Sequence, residues 1–278
     1  MNQDIQQRMS AALKAVRETK PLIHQITNYV TVNDCANVTL AIGASPIMAD
    51  DIAEAADIAS ISSALVLNIG TLNARTVESM LAAGKKANEK GIPVVLDPVG
   101  AGASALRNHT VERLLKGIQF AVIRGNLSEI RFVAGANAAA KGVDVSDADL
   151  KSGPEAAKAA AETAAKAYRC VTAVTGAVDV VSDGTQTVTL HNGSPLLAGV
   201  TGTGCMCSSL VGSFCGATKD YFAAAAGGIE SMSIAGELAA DTAGQKGSGS
   251  FHVALIDGIS KMSPEIFAER AKIDETSN

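Results

Sequence analysis

The sequence has no run of five or more basic residues, and its formal net charge is −5. A nucleic-acid surface needs clustered lysine and arginine to neutralise phosphates, so this composition is evidence against one. An acidic protein can still carry a locally positive site for a small anion. We therefore expect no nucleic-acid partner, while anionic ligands stay open.

Long apolar segments are also missing. No run approaches the roughly 20 apolar residues that span a bilayer, and the polar residues 2–7 lack the apolar core of a signal peptide. The five cysteines include no Cys-x-x-Cys pair, which argues against a zinc ribbon and a disulfide framework. We expect a cytoplasmic protein with reduced cysteines and no membrane partner.

Two common nucleotide signatures are absent or incomplete. Gly84-Lys85 has Ser79 where the Walker A loop requires glycine. Residues 100–105 match the G-x-G-x-x-A dinucleotide fingerprint, but they lie in mid-chain and Arg124, not an acid, ends the next predicted strand. The four histidines show no metal-ligand spacing. These features weigh against NAD binding and against a Walker-type ATPase.

The periodicity of the chain predicts an α/β fold. The 278 residues, 47% of them hydrophobic, suit a single domain over residues 1–278, with an N-terminal helix within residues 1–20. Short apolar runs then alternate with helical patterns. The runs are residues 22–26, 46–49, 65–69, 93–96, 120–123 and 171–174. Runs of this kind suit strands covered on both faces, so we expect a mostly parallel sheet between two helical layers.

The later part of the chain has a different pattern. Residues 178–190 contain two apolar segments around Asp183-Gly184, which predicts a β-hairpin and thus an antiparallel edge. Residues 222–240 are rich in small and apolar side chains and suit a close-packed buried helix. Residues 135–154 are the best candidate for a surface insertion. The charged residues 272–278 are expected to form a loose tail.

The strongest chemical signal is the glycine-rich stretch 199–205, which precedes a helical pattern over residues 206–217. Glycines allow close approach of a ligand, and the first N–H groups of a helix point outward at its positive dipole end. Such a turn can hold an anion and stabilise a transferring phosphoryl group. A flexible turn before a buried helix is the alternative.

Three other predicted strand ends carry polar residues. Asp97 follows one strand, where open α/β sheets bind ligands, although it could simply cap the next helix. Arg124 ends another, and Asn126 with Glu129 has the spacing of a capping box. Thr175 lies at the third of these ends, where a turn is an adequate explanation. Taken together, these residues are what a site for a nucleotide, Mg²⁺ and a phosphoryl acceptor requires.

Seven motifs in the same order resemble those of hydroxyethylthiazole kinases. They occupy residues 24–33, 45–48, 67–71, 96–101, 124–129, 174–176 and 202–205. The resemblance extends from about residue 20 to about residue 260. It implies a three-layer α/β/α ribokinase-like domain with a mostly parallel central sheet, an antiparallel edge and no separate lid. It also implies a homotrimer with active sites near the subunit interfaces.

The resemblance further implies an activity and a set of site residues. The activity is ATP- and Mg²⁺-dependent phosphorylation of the hydroxyl of 4-methyl-5-(2-hydroxyethyl)thiazole in thiamine salvage. By motif, the nucleotide is assigned to Arg124 and Thr175, the metal and phosphates to Asp97 and Glu129, and the thiazole to Met48 and Gly202 with Asn28 nearby. The catalytic turn is assigned to Gly202, Thr203, Gly204 and Cys205. A kinase of hydroxymethylpyrimidine or pyridoxal, or a non-catalytic nucleotide sensor, is the alternative.

Cys205 falls where most ribokinase-like kinases carry an aspartate as general base, although cysteine at this place is typical of thiazole kinases. A thiol with a pKa of about 8.5 is mostly protonated at neutral pH, and a helix N-terminus can lower that value. In a loose phosphoryl transfer the alcohol needs little early deprotonation, so a weak base is tolerable.

Overall fold

The sheet of this computed structural model, which describes residues 2–141 and 153–277, has nine strands. Their order across the sheet is β2-β1-β3-β4-β5-β6-β7-β8-β9. The strands are β1 (Leu22–Ile26), β2 (Ser45–Ile47), β3 (Ala64–Asn68), β4 (Val94–Asp97), β5 (Val122–Gly125), β6 (Val171–Val174), β7 (Asp179–Ser182), β8 (Gln186–Leu190) and β9 (Ile273–Ser277).

Strands β1 to β6 pair in parallel, as the apolar runs predicted. All residues of β3, β4 and β6 are buried, because helices cover both faces of this part of the sheet. Each predicted strand lies within two residues of its observed position.

Eleven α-helices lie in the described part of the chain. They are α1 (Asn2–Thr19), α2 (Val32–Ile42), α3 (Ala55–Ile61), α4 (Ala74–Glu89), α5 (Ala105–Gly117), α6 (Leu127–Lys141), α7 (Pro154–Tyr168), α8 (Thr203–Ala217), α9 (Tyr221–Ala243), α10 (Ser248–Ser260) and α11 (Pro264–Arg270). One apolar core lies between the sheet and α1, α2 and α8 to α11, and a second lies between the sheet and α3 to α7. The three-layer α/β/α expectation is thus confirmed.

Helices α8 and α9 are packed unusually closely. A Cβ atom added at Gly228 of α9 would lie 2.7 Å from the backbone of Val211 in α8. Such an approach is possible only without a side chain, and this explains the glycine at position 228. The predicted close-packed helix over residues 222–240 is confirmed, and this packing fixes the position of α8 against β1, β3 and β4.

The antiparallel edge contains one strand more than the sequence predicted. Strands β7 and β8 form the predicted hairpin, with Gly184 at φ +89° in the turn. The expectation of a loose tail over residues 272–278 is wrong for residues 273–277, because β9 pairs antiparallel with β8, and residue 278 lies outside the described residues. Only Ile273 of this strand is apolar and joins the core. An edge strand with one apolar residue in its sequence has no detectable alternation, which is why the sequence pattern missed it.

Two further expectations concern the surface. Of the insertion expected over residues 135–154, residues 142–152 lie outside the described residues, α6 continues to Lys141, and α7 begins at Pro154. Within the described ranges, no helix is both long and apolar enough to cross a membrane.

The parallel arrangement brings several polar residues to one edge of the sheet. Asn68 and Asp97 are the last residues of β3 and β4 and are direct neighbours in register. Arg124 lies in β5 beside Ala173 of β6, and Thr175 follows β6. Helix α8 begins at this same edge, where open α/β sheets bind their ligands.

Candidate active site

The glycine-rich turn forms the first turn of α8. The helix begins at Thr203, three residues before the helical pattern of the sequence, and Gly202 is its N-cap residue with φ +86°. A Cβ atom at Gly202 would lie 2.4 Å from Cγ2 of Thr31, so both the backbone angle and the space require glycine. Glycine has no side-chain oxygen to cap the helix. The N–H groups of the first turn are therefore left for a ligand.

Cys205 lies in this first turn and is partly buried. Its sulfur accepts hydrogen bonds from Nδ2 of Asn28, at 3.1 Å, and from Nδ2 of Asn68, at 3.3 Å. Burial raises the pKa of the Cys205 thiol, and the Asp97 carboxylate acts in the same direction, while the hydrogen bonds lower it by less. The helix N-terminus does not give this thiol a lowered pKa, so Cys205 is a weak acid.

Asp97 is almost completely buried beside Cys205. Its Oδ2 accepts hydrogen bonds of 2.8 Å from both Asn68 Nδ2 and Ser208 Oγ, and it lies 3.7 Å from Nη1 of Arg124. Burial raises the pKa of Asp97 to about 6, although the Arg124 guanidinium acts to lower it. The side chain caps no helix: α5 is capped instead by Ser104. The helix-cap alternative for Asp97 is therefore wrong, and its role at a ligand stays a prediction.

Glu129 forms the capping box that its spacing indicated. Its Oε2 accepts the N–H of Asn126, and Oδ1 of Asn126 accepts the N–H of Glu129. The other oxygen, Oε1, accepts the N–H of Gly100 at 2.8 Å. This carboxylate therefore joins the turn after β4 to the start of α6. Each of its oxygens keeps a further lone pair, so the capping role does not prevent contact with a metal.

The two carboxylates fit a magnesium ion. Oδ1 of Asp97 is buried and has no hydrogen-bond partner within residues 2–141 and 153–277, and an orphaned anionic oxygen needs a ligand. Asp97 and Glu129 line the same cavity of about 390 Å³. No cluster of three or more metal-binding side chains occurs among the described residues. A site with two carboxylates suits Mg²⁺, which normally takes its other ligands from phosphate and water.

Arg124 lies between two adjoining cavities. Its Nη1 donates to the carbonyl of Gly204 at 3.1 Å, and its Nη2 donates to Oγ1 of Thr175. The guanidinium thus connects the end of β5 to the helix start and to the turn after β6. Besides the cavity that contains Asp97, it lines a larger one of about 760 Å³ whose wall includes Thr175 and Thr203.

The smaller cavity contains most of the predicted acceptor site. Asn28, Gly202 and Cys205 line it together with Asp97 and Glu129. Met48, the other residue assigned to the thiazole, follows the edge strand β2 and is not among the residues that line either cavity. The structure therefore brings together every predicted site residue except Met48.

Sequence reasoning assigned no role to two residues of this site. Asn68 contacts both Asp97 and Cys205, and it ends a buried strand just as Asp97 does, which was a usable signal. Arg107 donates to the carbonyls of Ile69, Gly70 and Val99 and so ties the turns after β3 and β4 together. It lies in α5, and no local pattern marked it.

Solved structures identify the fold. A ribokinase-like superfamily protein from Enterococcus faecalis superposes with a TM-score of 0.60 at 11% identity, covering 87% of each chain. Pyridoxal kinase from Bacillus subtilis superposes with a TM-score of 0.56 at 17% identity, covering 77% of this chain and 90% of that one. The class is therefore the ribokinase-like fold, with a polar site at the strand ends.

More similar proteins define the family. A model described as the hydroxyethylthiazole kinase family matches residues 13–265. Hydroxyethylthiazole kinases from Ruminiclostridium cellulolyticum and Clostridium beijerinckii are 65% and 57% identical, over 95% and 99% of this chain and 96% and 100% of theirs. The solved hydroxyethylthiazole kinase from Pyrococcus horikoshii is 39% identical with a TM-score of 0.86, covering 97% of this chain and 99% of that one. The chain belongs to the hydroxyethylthiazole kinase family and is a kinase of thiamine metabolism.

Proposed function

We propose that the site transfers the γ-phosphoryl group of ATP to the hydroxyl of 4-methyl-5-(2-hydroxyethyl)thiazole. The observation that carries this proposal is the meeting of two cavities at Arg124 and Gly204, where the free N–H groups of α8 begin. A donor in one cavity and an acceptor in the other would meet at those N–H groups. Positioning and charge stabilisation are the main requirements of phosphoryl transfer.

The larger cavity is the proposed nucleotide site. It is lined by Arg124, Thr175 and Thr203, which offer a cation and hydroxyl groups, and by Leu197, Ile229 and Met232, which offer apolar surface. An adenine ring needs apolar contacts, while the phosphates need hydrogen-bond donors. The γ-phosphate would then lie at the first turn of α8, where the helix dipole favours negative charge.

The smaller cavity is the proposed acceptor site, with Asn28, Gly202 and Cys205 around the thiazole alcohol. In the proposed step, the hydroxyl oxygen forms a bond to the γ-phosphorus and its proton passes to the thiolate form of Cys205. The bond from the γ-phosphorus to the β–γ bridging oxygen breaks, and ADP leaves with that electron pair. The N–H groups of residues 203–205 stabilise the charge on the moving group.

Asp97 and Glu129 are the residues that we propose for Mg²⁺. When bound, the ion supplies charge neutralisation for the β- and γ-phosphates. The side chain of Asp97 offers its orphaned Oδ1, and Glu129 offers the lone pairs that its two backbone contacts leave. Arg124 lies 3.7 Å from Asp97, where its positive charge favours the ionised carboxylate and partly offsets the effect of burial.

We also propose that the protein works as a homotrimer in the cytoplasm, with one kinase domain per chain and Met48 acting at a subunit interface. Three exposed residues lie near this edge of the sheet. Tyr29 and Val30 follow β1, Ile52 follows the edge strand β2, and they are 78%, 56% and 50% exposed. Val30 also lines the acceptor cavity. Apolar exposure beside a site supports an arrangement in which a neighbouring subunit covers it.

A product assay tests the function. The protein is incubated with Mg·ATP and, separately, with the thiazole alcohol, hydroxymethylpyrimidine and pyridoxal, and the phosphorylated products are separated by chromatography. We expect rapid phosphorylation of the thiazole alcohol and a much lower kcat/KM for the other two. Preferred phosphorylation of another alcohol would replace the proposed acceptor, and transfer to none of them would favour a nucleotide sensor.

A further inference from the structure

Two asparagine amides hold the sulfur of Cys205. Asn28 lies in the turn after β1 and Asn68 ends β3, and each donates an Nδ2–H group to the sulfur. The pair is also joined internally, because Nδ2 of Asn28 donates to Oδ1 of Asn68 at 3.1 Å. Both residues are buried. The side chain at position 205 is therefore restrained from two neighbouring strands.

The orientation of the Asn68 amide is fixed by its surroundings. Its Oδ1 also accepts the N–H of Gly70 at 2.9 Å, and its Nδ2 also donates to Oδ2 of Asp97 at 2.8 Å. A flipped amide would place its oxygen against the Asp97 carboxylate, which is repulsive, and would lose the Gly70 contact. The amide nitrogen thus donates two hydrogen bonds and the amide oxygen accepts two, so the hydrogen-bonding capacity of the group is fully used.

We propose that Asn68 is a positioning residue that couples the Asp97 carboxylate to the side chain at position 205. It would direct one N–H group to each of them, so that the proton acceptor and the metal-binding carboxylate keep a fixed separation. The N–H at the sulfur stabilises the thiolate, because hydrogen bonds to a charged group favour the charged form. The role as a base-positioning residue rests on the proposed function of Cys205.

Ser208 provides a matched comparison. It donates to the same Oδ2 of Asp97 at the same distance of 2.8 Å, but it makes no hydrogen bond to Cys205 among those of the described residues. If Asn68 acted only by holding Asp97, loss of the Ser208 hydroxyl would have a similar effect on the thiol. If Asn68 acts directly on position 205, the two substitutions differ.

The first test measures the thiol itself, without ATP or acceptor. Iodoacetamide alkylation of Cys205 is followed by peptide mass spectrometry between about pH 7 and pH 10; the other four cysteines are buried. Asn68→Asp keeps the Oδ1 acceptor but replaces the donor with a carboxylate oxygen. We expect it to raise the apparent pKa of Cys205 and so to slow alkylation about tenfold at pH 8.

Two further variants complete this test. Asn68→Ala should slow alkylation in the same direction, whereas Ser208→Ala should stay within about twofold of wild type. Circular dichroism melts identify the folded variants. Wild-type alkylation in a folded Asn68→Asp or Asn68→Ala protein overturns the proposal, and so does an equal effect of Ser208→Ala. These readouts do not depend on catalysis, so a failure of the proposed function is separately visible as absent phosphate transfer by the wild type.

The second test asks whether Asn68 acts through position 205. The kcat values of Asn68→Ala, Cys205→Ala and the double variant form a cycle, which measures coupling between the two sites. We expect Asn68→Ala to lower kcat about tenfold in the wild-type background and less than about twofold in the Cys205→Ala background. Equal losses in both backgrounds would show that Asn68 does not act through the thiol.

Discussion

Cys205 is the proposed proton acceptor, yet its surroundings favour the protonated form of the thiol. The sulfur receives two amide N–H groups, but burial and the Asp97 carboxylate raise the pKa of the thiol further. Little thiolate is then present at neutral pH. A phosphoryl transfer that depends on positioning can proceed with such a base, because the backbone N–H groups of α8 act independently of this side chain.

A comparison of three side chains at position 205 measures the contribution of the base. General acid–base catalysis is worth about 10²–10⁴-fold, and a weak thiol should contribute at the low end, so Cys205→Ala should lower kcat by about 10²-fold or less. Cys205→Asp should match or exceed the wild type, because the two amide donors can stabilise an ionised carboxylate. The measurement is kcat at saturating ATP and thiazole alcohol. If Cys205→Ala kept the wild-type kcat while Cys205→Asp was inactive, position 205 would not hold a catalytic base.

Asp97 should make Mg²⁺ binding depend on pH. Its pKa of about 6 means that the carboxylate becomes ionised as the pH rises through that value, so Mg²⁺ affinity should rise over the same range. Asp97→Asn should weaken Mg²⁺ activation and lower kcat while retaining the fold. The test is the Mg²⁺ concentration for half-maximal activity of both proteins between about pH 5 and pH 8. If wild type and Asp97→Asn needed the same Mg²⁺ concentration for half-maximal activity, the metal role of Asp97 would be contradicted.

The same shift makes a prediction for the stability of the ligand-free protein. The pKa of Asp97 is raised on folding, so its contribution to stability is present below about pH 4, the unfolded value, and is lost as the pH rises through about 6. The free energy of unfolding of wild type minus that of Asp97→Asn should therefore decrease between these limits. Urea titrations at several pH values measure it.

At the scale of elements, the start of α8 depends on one backbone angle. Gly202 has φ +86°, and a methyl group there would collide with Thr31. Gly202→Ala should cost about 1–2 kcal/mol from the left-handed angle alone and should raise the KM for the acceptor by displacing the turn. Gly249→Ala is the control, since a Cβ atom there meets nothing within 4 Å. Urea unfolding and KM measurements compare the two variants. If Gly202→Ala and Gly249→Ala had the same stability and the same KM, the turn at Gly202 would not require glycine.

The sequence was most informative where each element is covered on both faces or ends at the site. The buried apolar runs were sufficient to predict the positions of β1 to β6. Asp97, Arg124 and Thr175 could be chosen as candidates because they lie at strand ends, which a parallel sheet brings to one edge. The links between Asn68, Cys205 and Asp97 join residues that are distant in the chain, so spacing could not reveal them. Arg107 was missed because no local pattern in α5 indicates its contacts with the turns after β3 and β4.

Strand β9 is an element that the sequence pattern could not predict. Its residues contribute one apolar side chain, so its existence depends on pairing with β8 rather than on its own pattern. Ile273→Ala should destabilise the protein by about 2 kcal/mol, because Ile273 is only 8% exposed and joins the core. Its exposed neighbour provides the control: Asp274→Ala should change stability by less than about 0.5 kcal/mol. Guanidinium unfolding of both variants checks this, and a wild-type midpoint for Ile273→Ala would contradict the packing.

At the scale of the whole molecule, the proposed trimer predicts a link between assembly and activity. Ile52, beyond the edge strand β2, and Leu106 in α5 are similarly exposed, at 50% and 53%. Ile52→Glu should dissociate the assembly and lower activity, because a charge cannot be buried in an apolar interface without a partner. Leu106→Glu should change neither. Light scattering and activity are measured together, and full activity of a demonstrated monomer would exclude a shared site.

The distance along the chain between β8 and β9 has a consequence for synthesis. Strand β8 ends at Leu190, whereas the strand that covers its outer edge begins at Ile273. A ribosome that adds about 5–20 residues per second leaves this edge without its partner for on the order of 10 s. During that interval the hairpin presents unpaired N–H and C=O groups to neighbouring nascent chains. Crowded polysomes therefore favour intermolecular strand pairing at β8, and a holdase that covers this edge should raise the yield of native protein.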